Sequence, residues 1–150
     1  MKITQIREKD GVEALSVLDF NLLIEKIKTE IKTRPVTGLR QALHFVLPGE
    51  SCSFAGKLPK VIPAAVFGRV NGVKRMKVYN GIVELTVGPL AGKVEVDLVK
   101  KKAAELPQTM FAYMGASGNS VKIWTLFTRP DGTLPQTQEE AEIFQAHAYR

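Results

Sequence analysis

The stretch VIPAAVFGRVNGVKRMKVYNGIVELTV, residues 61–87, decides how this chain is read. Val61 to Val70 and Lys77 to Val87 are dense in β-branched and aromatic residues, the side chains that fit a pleated, half-buried surface. Asn71-Gly72 stands between them, and that pair suits a two-residue turn with positive φ at both central positions. The segment predicts an antiparallel hairpin or meander. Pro63 has no N–H to give to a ladder, so the first strand is expected at an edge or with a late start. In the second strand Gly81, Val83, Leu85 and Val87 share one face, while Ile82, Glu84, Thr86 and Gly88 share the other. The first set is the expected core face.

Toward the C-terminus, Val96, Val99, Ala103 and Leu106 form a stripe at helical spacing, and Glu95 and Asp97 suit the positive end of that helix. As an alternative, Glu95 and Asp97 are a metal-binding pair on a strand; the Lys-Lys-Lys-Ala-Ala-Glu-Leu continuation favours the helix. Met110 to Met114 reads as a short apolar strand, Gly115-Ala116-Ser117-Gly118-Asn119-Ser120 as a loop, and Val121 to Arg129 as the returning strand of a hairpin. Thr137 and Glu140 form a capping box that opens a last helix, with Ala141, Phe144 and His147 to Ala148 along one side. That helix is expected to be still running at Arg150, as if the natural chain continued.

Toward the N-terminus, Ile3 to Arg7 reads as a strand followed by a turn at Gly11. Asp19 is a plausible N-cap for an amphipathic helix whose apolar side carries Phe20, Leu23, Ile24, Ile27 and Ile31. Thr37 to Val46 reads as a second helix with Leu39, Ala42, Leu43 and Val46 inward, stopped by Pro48-Gly49. His44 is expected as a half-buried packing residue, because no second metal-binding residue stands one turn away. Together these elements predict an α+β fold, a mostly antiparallel sheet with helices packed on one face, over one domain spanning residues 1–150.

A chain of 150 residues is long enough for one core and short for two. No stretch approaches the roughly 20 apolar residues that cross a bilayer, and Met1 to Asp10 lacks the apolar centre of a secretory signal. The lone cysteine, Cys52, excludes an internal disulfide and fits a reducing, cytoplasmic compartment; it reads as a small structural or loop residue. Net charge is +6, unevenly placed. Between Glu50 and Glu84 there is no acidic residue, while Lys57, Lys60, Arg69, Lys74, Arg75 and Lys77 all fall there. Such a block either attracts a polyanion or is a solvated surface kept for solubility.

The Gly115 to Ser120 loop, with Lys122 just beyond it, would let backbone N–H groups approach a phosphate. It lacks the Gly-Lys-Ser/Thr ending of a Walker loop and leads into a strand, so an ordinary hairpin loop is the competing reading. Lys122, Trp124 and Leu126 share a face, which sets a cation and a ring about 7 Å apart. Trp124, the one tryptophan, either stacks a base there or packs the core. Phe67 with Arg69, and Lys77 with Tyr79, repeat the aromatic-plus-basic spacing. A serine-histidine-carboxylate triad would need His44 or His147 without any nucleophile elbow.

Three blocks carry a family resemblance: Lys57-Leu58-Pro59-Lys60-Val61-Ile62-Pro63-Ala64-Ala65-Val66-Phe67, then Tyr79-Asn80-Gly81-Ile82-Val83-Glu84-Leu85, then Gly115 through Trp124. In that order and spacing they resemble the N-terminal domain of bacterial virulence-associated protein E-like proteins, found on integrated elements ahead of primase- or helicase-related regions. The likeness covers roughly Lys57 to Arg150. That family in turn looks like archaeo-eukaryotic primases, which implies a two-layer, RRM-like architecture and a two-metal site on paired strand aspartates with a histidine after a glycine-rich turn. Two metal ions need converging carboxylates, yet Thr86 and Gly88 stand where the aspartates should, and Lys122 where the histidine should. Glu84 is the only carboxylate left on that face.

The resemblance therefore implies a catalytically degenerate primase-like domain of a mobile-element DNA replication protein, needing no cofactor. Mg²⁺ or Mn²⁺ enters only if a rearranged site keeps activity. Its expected partners are single-stranded DNA or RNA and a primase- or helicase-type C-terminal region, with no membrane. The expected nucleic-acid contacts are Lys122, Trp124, Ser117, Gly118, Arg69 and Lys77. As an alternative, the basic face docks an acidic protein partner or the protein's own C-terminal region.

Overall fold

The computed structural model describes residues 1–29, 35–45 and 58–150. The expectations for Cys52, for Ile31, for Lys57 and for the helix stop at Val46 to Gly49 fall outside them. In chain order the elements are β1 (Lys2–Lys9), β2 (Val12–Asp19), α1 (Phe20–Lys28), α2 (Pro35–Leu43), β3 (Lys60–Ile62), β4 (Ala65–Val70), β5 (Val73–Tyr79), β6 (Ile82–Val87), α3 (Lys93–Ala104), β7 (Thr109–Met114), β8 (Val121–Leu126) and α4 (Gln138–Ala148). The fold is α+β, and every strand pair among the described residues is antiparallel.

The strands form three small sheets, ordered β2-β1-β3, β4-β5 and β6-β8-β7. Two features of the 61–87 stretch explain the division. Pro63 interrupts what reads as one strand, so β3 pairs with β1 and, two residues on, β4 pairs with β5. Asn80-Gly81 likewise splits Lys77 to Val87: Gly81 takes φ +71°, and the chain leaves the β4–β5 ribbon to enter the third sheet. Asn71 and Gly72 have φ of 49° and 78°, the two-residue turn the sequence predicts.

Asp10 and Gly11 close a second hairpin in the same way, with φ of 53° and 75°. Its second strand, β2, is one the sequence does not announce, because its side chains are mostly exposed. β1 is the opposite case. Ile3, Thr4, Gln5 and Ile6 are all buried, so both of its faces are covered. Thr4 ties the first sheet to the ribbon: its Oγ1 donates to Ala65 O at 2.9 Å and accepts from Phe67 N at 2.7 Å.

α1 begins at Asp19, whose carboxylate accepts from Asn21 N. It lays Phe20, Leu23 and Ile27 against Ile3, Leu18, Ile82 and Trp124. α3 packs Val96, Val99 and Ala103 against Val121, Ile123, Ala112 and Met114, on the opposite face of the third sheet. Leu106 lies beyond the helix and is exposed. Because α3 covers β7 and β8 and stops short of β6, Leu85 and Val87 stay 40% and 37% exposed, whereas Ile82 and Val83 are fully buried. The expected core face of that strand is therefore corrected: burial follows position along β6, with both faces covered at the Ile82 end.

α4 opens at Thr137, whose Oγ1 accepts from Glu140 N, and it ends at Ala148 rather than running on through Arg150. It seals strand edges with side chains. Gln138 Oε1 accepts from Met76 N, Gln145 Nε2 donates to Ile82 O, and Tyr149 OH donates to Glu84 O. Edge groups of β5 and β6 that would otherwise face solvent or another chain are thereby occupied. His44, expected half-buried, is exposed past the end of α2. No helix among the described residues is long and apolar enough to cross a membrane.

Candidate nucleic-acid interface

The antiparallel register of β6, β8 and β7 sets Glu84 opposite Trp124, Thr86 opposite Lys122, and Phe111 and Tyr113 opposite Trp124 and Lys122. Pleating puts all of them on one face. Glu84 is the centre of that face: Oε2 accepts from Trp124 Nε1 at 2.7 Å and Oε1 accepts from Lys122 Nζ at 2.7 Å. By sequence, Lys122 and Trp124 share one face and Glu84 stands alone on another strand; the β6–β8 register brings the three together and gives them other work. Trp124 is fully buried. Phe20, Phe111 and Tyr113 surround its ring at centroid distances of 5.7, 5.9 and 5.9 Å. No ring face is left for a base, and the core-packing reading of Trp124 is the one the structure shows.

The same cluster perturbs Tyr113, which stacks on Phe111. Burial raises its hydroxyl well above the ordinary tyrosine range, the Glu84 carboxylate adds to the rise, and a side-chain hydrogen bond with Trp124 opposes it. Glu84 has one oxygen on an ammonium and the other on an indole N–H, and no second carboxylate stands on this face to share a metal with it. Thr86 offers a hydroxyl and Gly88 no side chain. Glu95 and Asp97 stand on α3, not on a strand beside Glu84, so the alternative of a rearranged carboxylate site is corrected too. Glu95 instead accepts from Ala91 N at its helix start. Among the described residues no group of three or more His, Cys, Asp or Glu could hold a metal ion. The two-metal site that the primase resemblance implies does not fit these residues.

Ser117 and Gly118 lie in the β7–β8 loop, at the end of the hairpin that carries Lys122. Gly115 N donates to Ser120 O and Gly118 N donates to Gly115 O, so two of the amides a phosphate would use are spent inside the loop. Ser117 Oγ donates to Asn119 Oδ1. From α2, Arg40 donates through Nε to Ala116 O at 3.1 Å and through Nη2 to Gly115 O at 3.2 Å. These are the contacts of a braced hairpin loop. Arg40 was not among the expected site residues, and a separation of 75 positions from Gly115 leaves no local signal of the contact.

Arg69 and Lys77 lie elsewhere, on the β4–β5 ribbon. Arg69 is a brace as well: Nη1 donates to Gly72 O across the turn and Nη2 donates to Glu13 O of β2. Lys74 reaches over the Phe67 ring at 5.3 Å, a cation–π contact. Lys77 lies across Gly68, where a Cβ would overlap its Cε, so the glycine leaves the lysine its path over the outer face. Arg75, opposite Gly68, is exposed beside it. A bulge between Val66 and Phe67 shifts the register here. Without that bulge strict alternation would turn Lys77 toward the Tyr79 face.

At the foot of the ribbon Met1, Lys2, Val17, Val66, Lys77, Val78 and Asn80 line an open groove of about 550 Å³. Its floor is aliphatic and both of its charged side chains are cationic. Nothing in the sequence brings Val17 and Val78 together, since β2 itself was not foreseen.

Comparison with known proteins bears on residues 53–150, a span that nearly coincides with the Lys57 to Arg150 over which the blocks resemble a known family. The matching model carries another name than the virulence-associated protein E family, and no primase or replication activity comes with it. No curated protein and no solved structure matches the chain. Through this match over about two-thirds of its length, the chain belongs to the BT4734-like, N-terminal domain family.

Proposed function

We propose that this domain binds nucleic acid, single-stranded DNA or RNA, through the basic β4–β5 ribbon, and that its primase-like blocks are the remains of a polymerase site that has lost its metal chemistry. The observation that carries the reading is the ribbon itself. It projects Arg75 and Lys77 from one surface of a two-stranded arm, with Lys74 on the other and no acidic residue anywhere along it. A two-stranded ribbon of one sign is a shape that follows a phosphate backbone. The loss of metal chemistry is supported by Glu84, which is committed to Lys122 and Trp124. The expected contacts shift accordingly, from Lys122, Trp124, Ser117 and Gly118 to Lys77, Arg75 and Lys74. A primase- or helicase-type region following this domain in the natural protein would place the bound strand beside an active partner.

Fluorescence anisotropy of a labelled single-stranded oligonucleotide, titrated at several salt concentrations, tests the reading. Each phosphate contact contributes about 0.7 to the slope of log affinity against log salt on a single strand. Removing Arg75 and Lys77 together should lower that slope by about 1.4, two contacts at about 0.7 each, while Lys122→Ala leaves it unchanged. A slope that falls with Lys122→Ala and not with the ribbon variant refutes the ribbon. Absence of binding even at low salt refutes nucleic-acid binding altogether and leaves an acidic protein as the partner of the same cations.

A further inference from the structure

Resting on that reading, we infer that the groove at the foot of the ribbon is a seat for an unpaired base, which makes single strands, not duplexes, the ligand. Its floor is made by Met1, just ahead of β1, with Val17, Val66 and Val78 of β2, β4 and β5. Val17 and Val78, from two different sheets, are 53% and 54% exposed where the groove brings them together. Two cations share the lining, Lys2 from β1 and Lys77 from β5, and no carboxylate among the described residues does. An apolar floor with two lysines in its lining suits a planar base joined on both sides to phosphates. At about 550 Å³ the groove falls within the range of small-molecule sites, about 300–1,000 Å³, with room for an unstacked base and its sugar.

A duplex cannot use this floor. Its base faces are stacked on one another and it offers only phosphates and groove edges, so it would engage Lys2, Lys77 and Arg75 and leave the valines wet. A single strand offers its base faces freely, and every base has an apolar one, so the seat is indifferent to sequence. The placement of Lys77 belongs to the same device. Exposed as it is, its side chain runs over Gly68, where a Cβ would overlap its Cε.

The test is anisotropy with three labelled probes: a mixed-sequence single strand, the same sequence as duplex, and an abasic sugar-phosphate strand of equal length. The full chain is used, with Val17→Ser combined with Val78→Ser as one variant and Gly68→Ala as another. The serine variant alters exposed side chains and Gly68→Ala displaces only the flexible end of Lys77, and circular dichroism verifies that both fold. The expected result is a single strand bound about tenfold tighter than the abasic strand. The serine variant should lose that margin while keeping its salt slope. Gly68→Ala, which displaces the Lys77 ammonium but keeps its charge, should weaken the base-bearing strand more than the duplex. Equal affinity for the base-bearing and abasic strands, or a serine variant that keeps the margin, overturns the seat and leaves the ribbon as a plain phosphate binder. Failure of all three probes to bind overturns the ribbon reading, and the seat with it.

Discussion

Thr4→Val should loosen the whole molecule, although it exchanges side chains of nearly the same shape. Thr4 is fully buried, and its hydroxyl bridges two backbone groups of β4, donating to Ala65 O and accepting from Phe67 N. Valine fills the space but satisfies neither. Each neutral hydrogen bond is worth about 1 kcal/mol net, and a buried group left without a partner costs about 1–3 kcal/mol. Two such groups place the loss near 3 kcal/mol, a large share of the 5–15 kcal/mol that holds a domain together. Trp124, the sole tryptophan and fully buried, reports unfolding by its fluorescence. In a urea titration the midpoint should fall at unchanged slope, and for a chain of this size the melting temperature should drop by roughly 6–12 °C. Thr4→Ser keeps the hydroxyl and should recover most of the loss. If Thr4→Val costs less than about 1 kcal/mol, or if serine is no better than valine, the threonine does not tie the first sheet to the ribbon as described.

Other consequences can be measured independently. Gly81→Ala should destabilise by more than about 2 kcal/mol, since φ +71° disfavours a side chain and a Cβ would stand 2.5 Å from Phe127 O. Gly72→Ala, at φ +78° in open space, should cost only about 1 kcal/mol in the same denaturation assay. Burial, aided by Tyr149, pushes the Tyr79 hydroxyl up to about 12. An unfolded tyrosine ionises near 10, so the contribution is fully present below about pH 10 and is lost as pH rises toward 12. Thermal melts across that window should show stability falling, and Tyr79→Phe should flatten the fall. Arg40→Ala should free the Gly115 and Ala116 carbonyls from α2, seen as faster amide exchange in the Gly115 to Ser120 loop with little change at β6.

Much of the secondary structure was legible because its signals are local. Asp19 announces α1, Thr137 with Glu140 announces α4, and Asn71-Gly72 announces the ribbon turn, each through the backbone groups it satisfies or the φ it permits. The Val96, Val99 and Ala103 stripe announces α3 by periodicity alone. Local reasoning failed where a strand changes sheets. Ile62 to Ala65 and Tyr79 to Ile82 each read as continuous β sequence, and only the pairing of their flanks shows a crossing between sheets. It failed again at β2, whose solvent-facing side chains leave little apolar signal.

The candidate site divides along the same line. The sequence alone determined that Lys122 and Trp124 share one face of their strand and that Glu84 is the lone carboxylate on one face of another, because strand alternation has a period of two, whereas the pairing of β6 with β8 that brings the three together belongs to the tertiary structure. The sequence determined as well that residues 51–83 carry only positive charge. Tertiary structure alone decided that α1 brings Phe20 over Trp124 and takes it out of solvent, that Arg69 braces β2, and that Lys77 escapes over Gly68. The physical reason is one of range. Turn chemistry and strand alternation act over a few residues and are written in the order of the chain, whereas exposure depends on which distant element lands on a given face. That landing is a property of the packed whole.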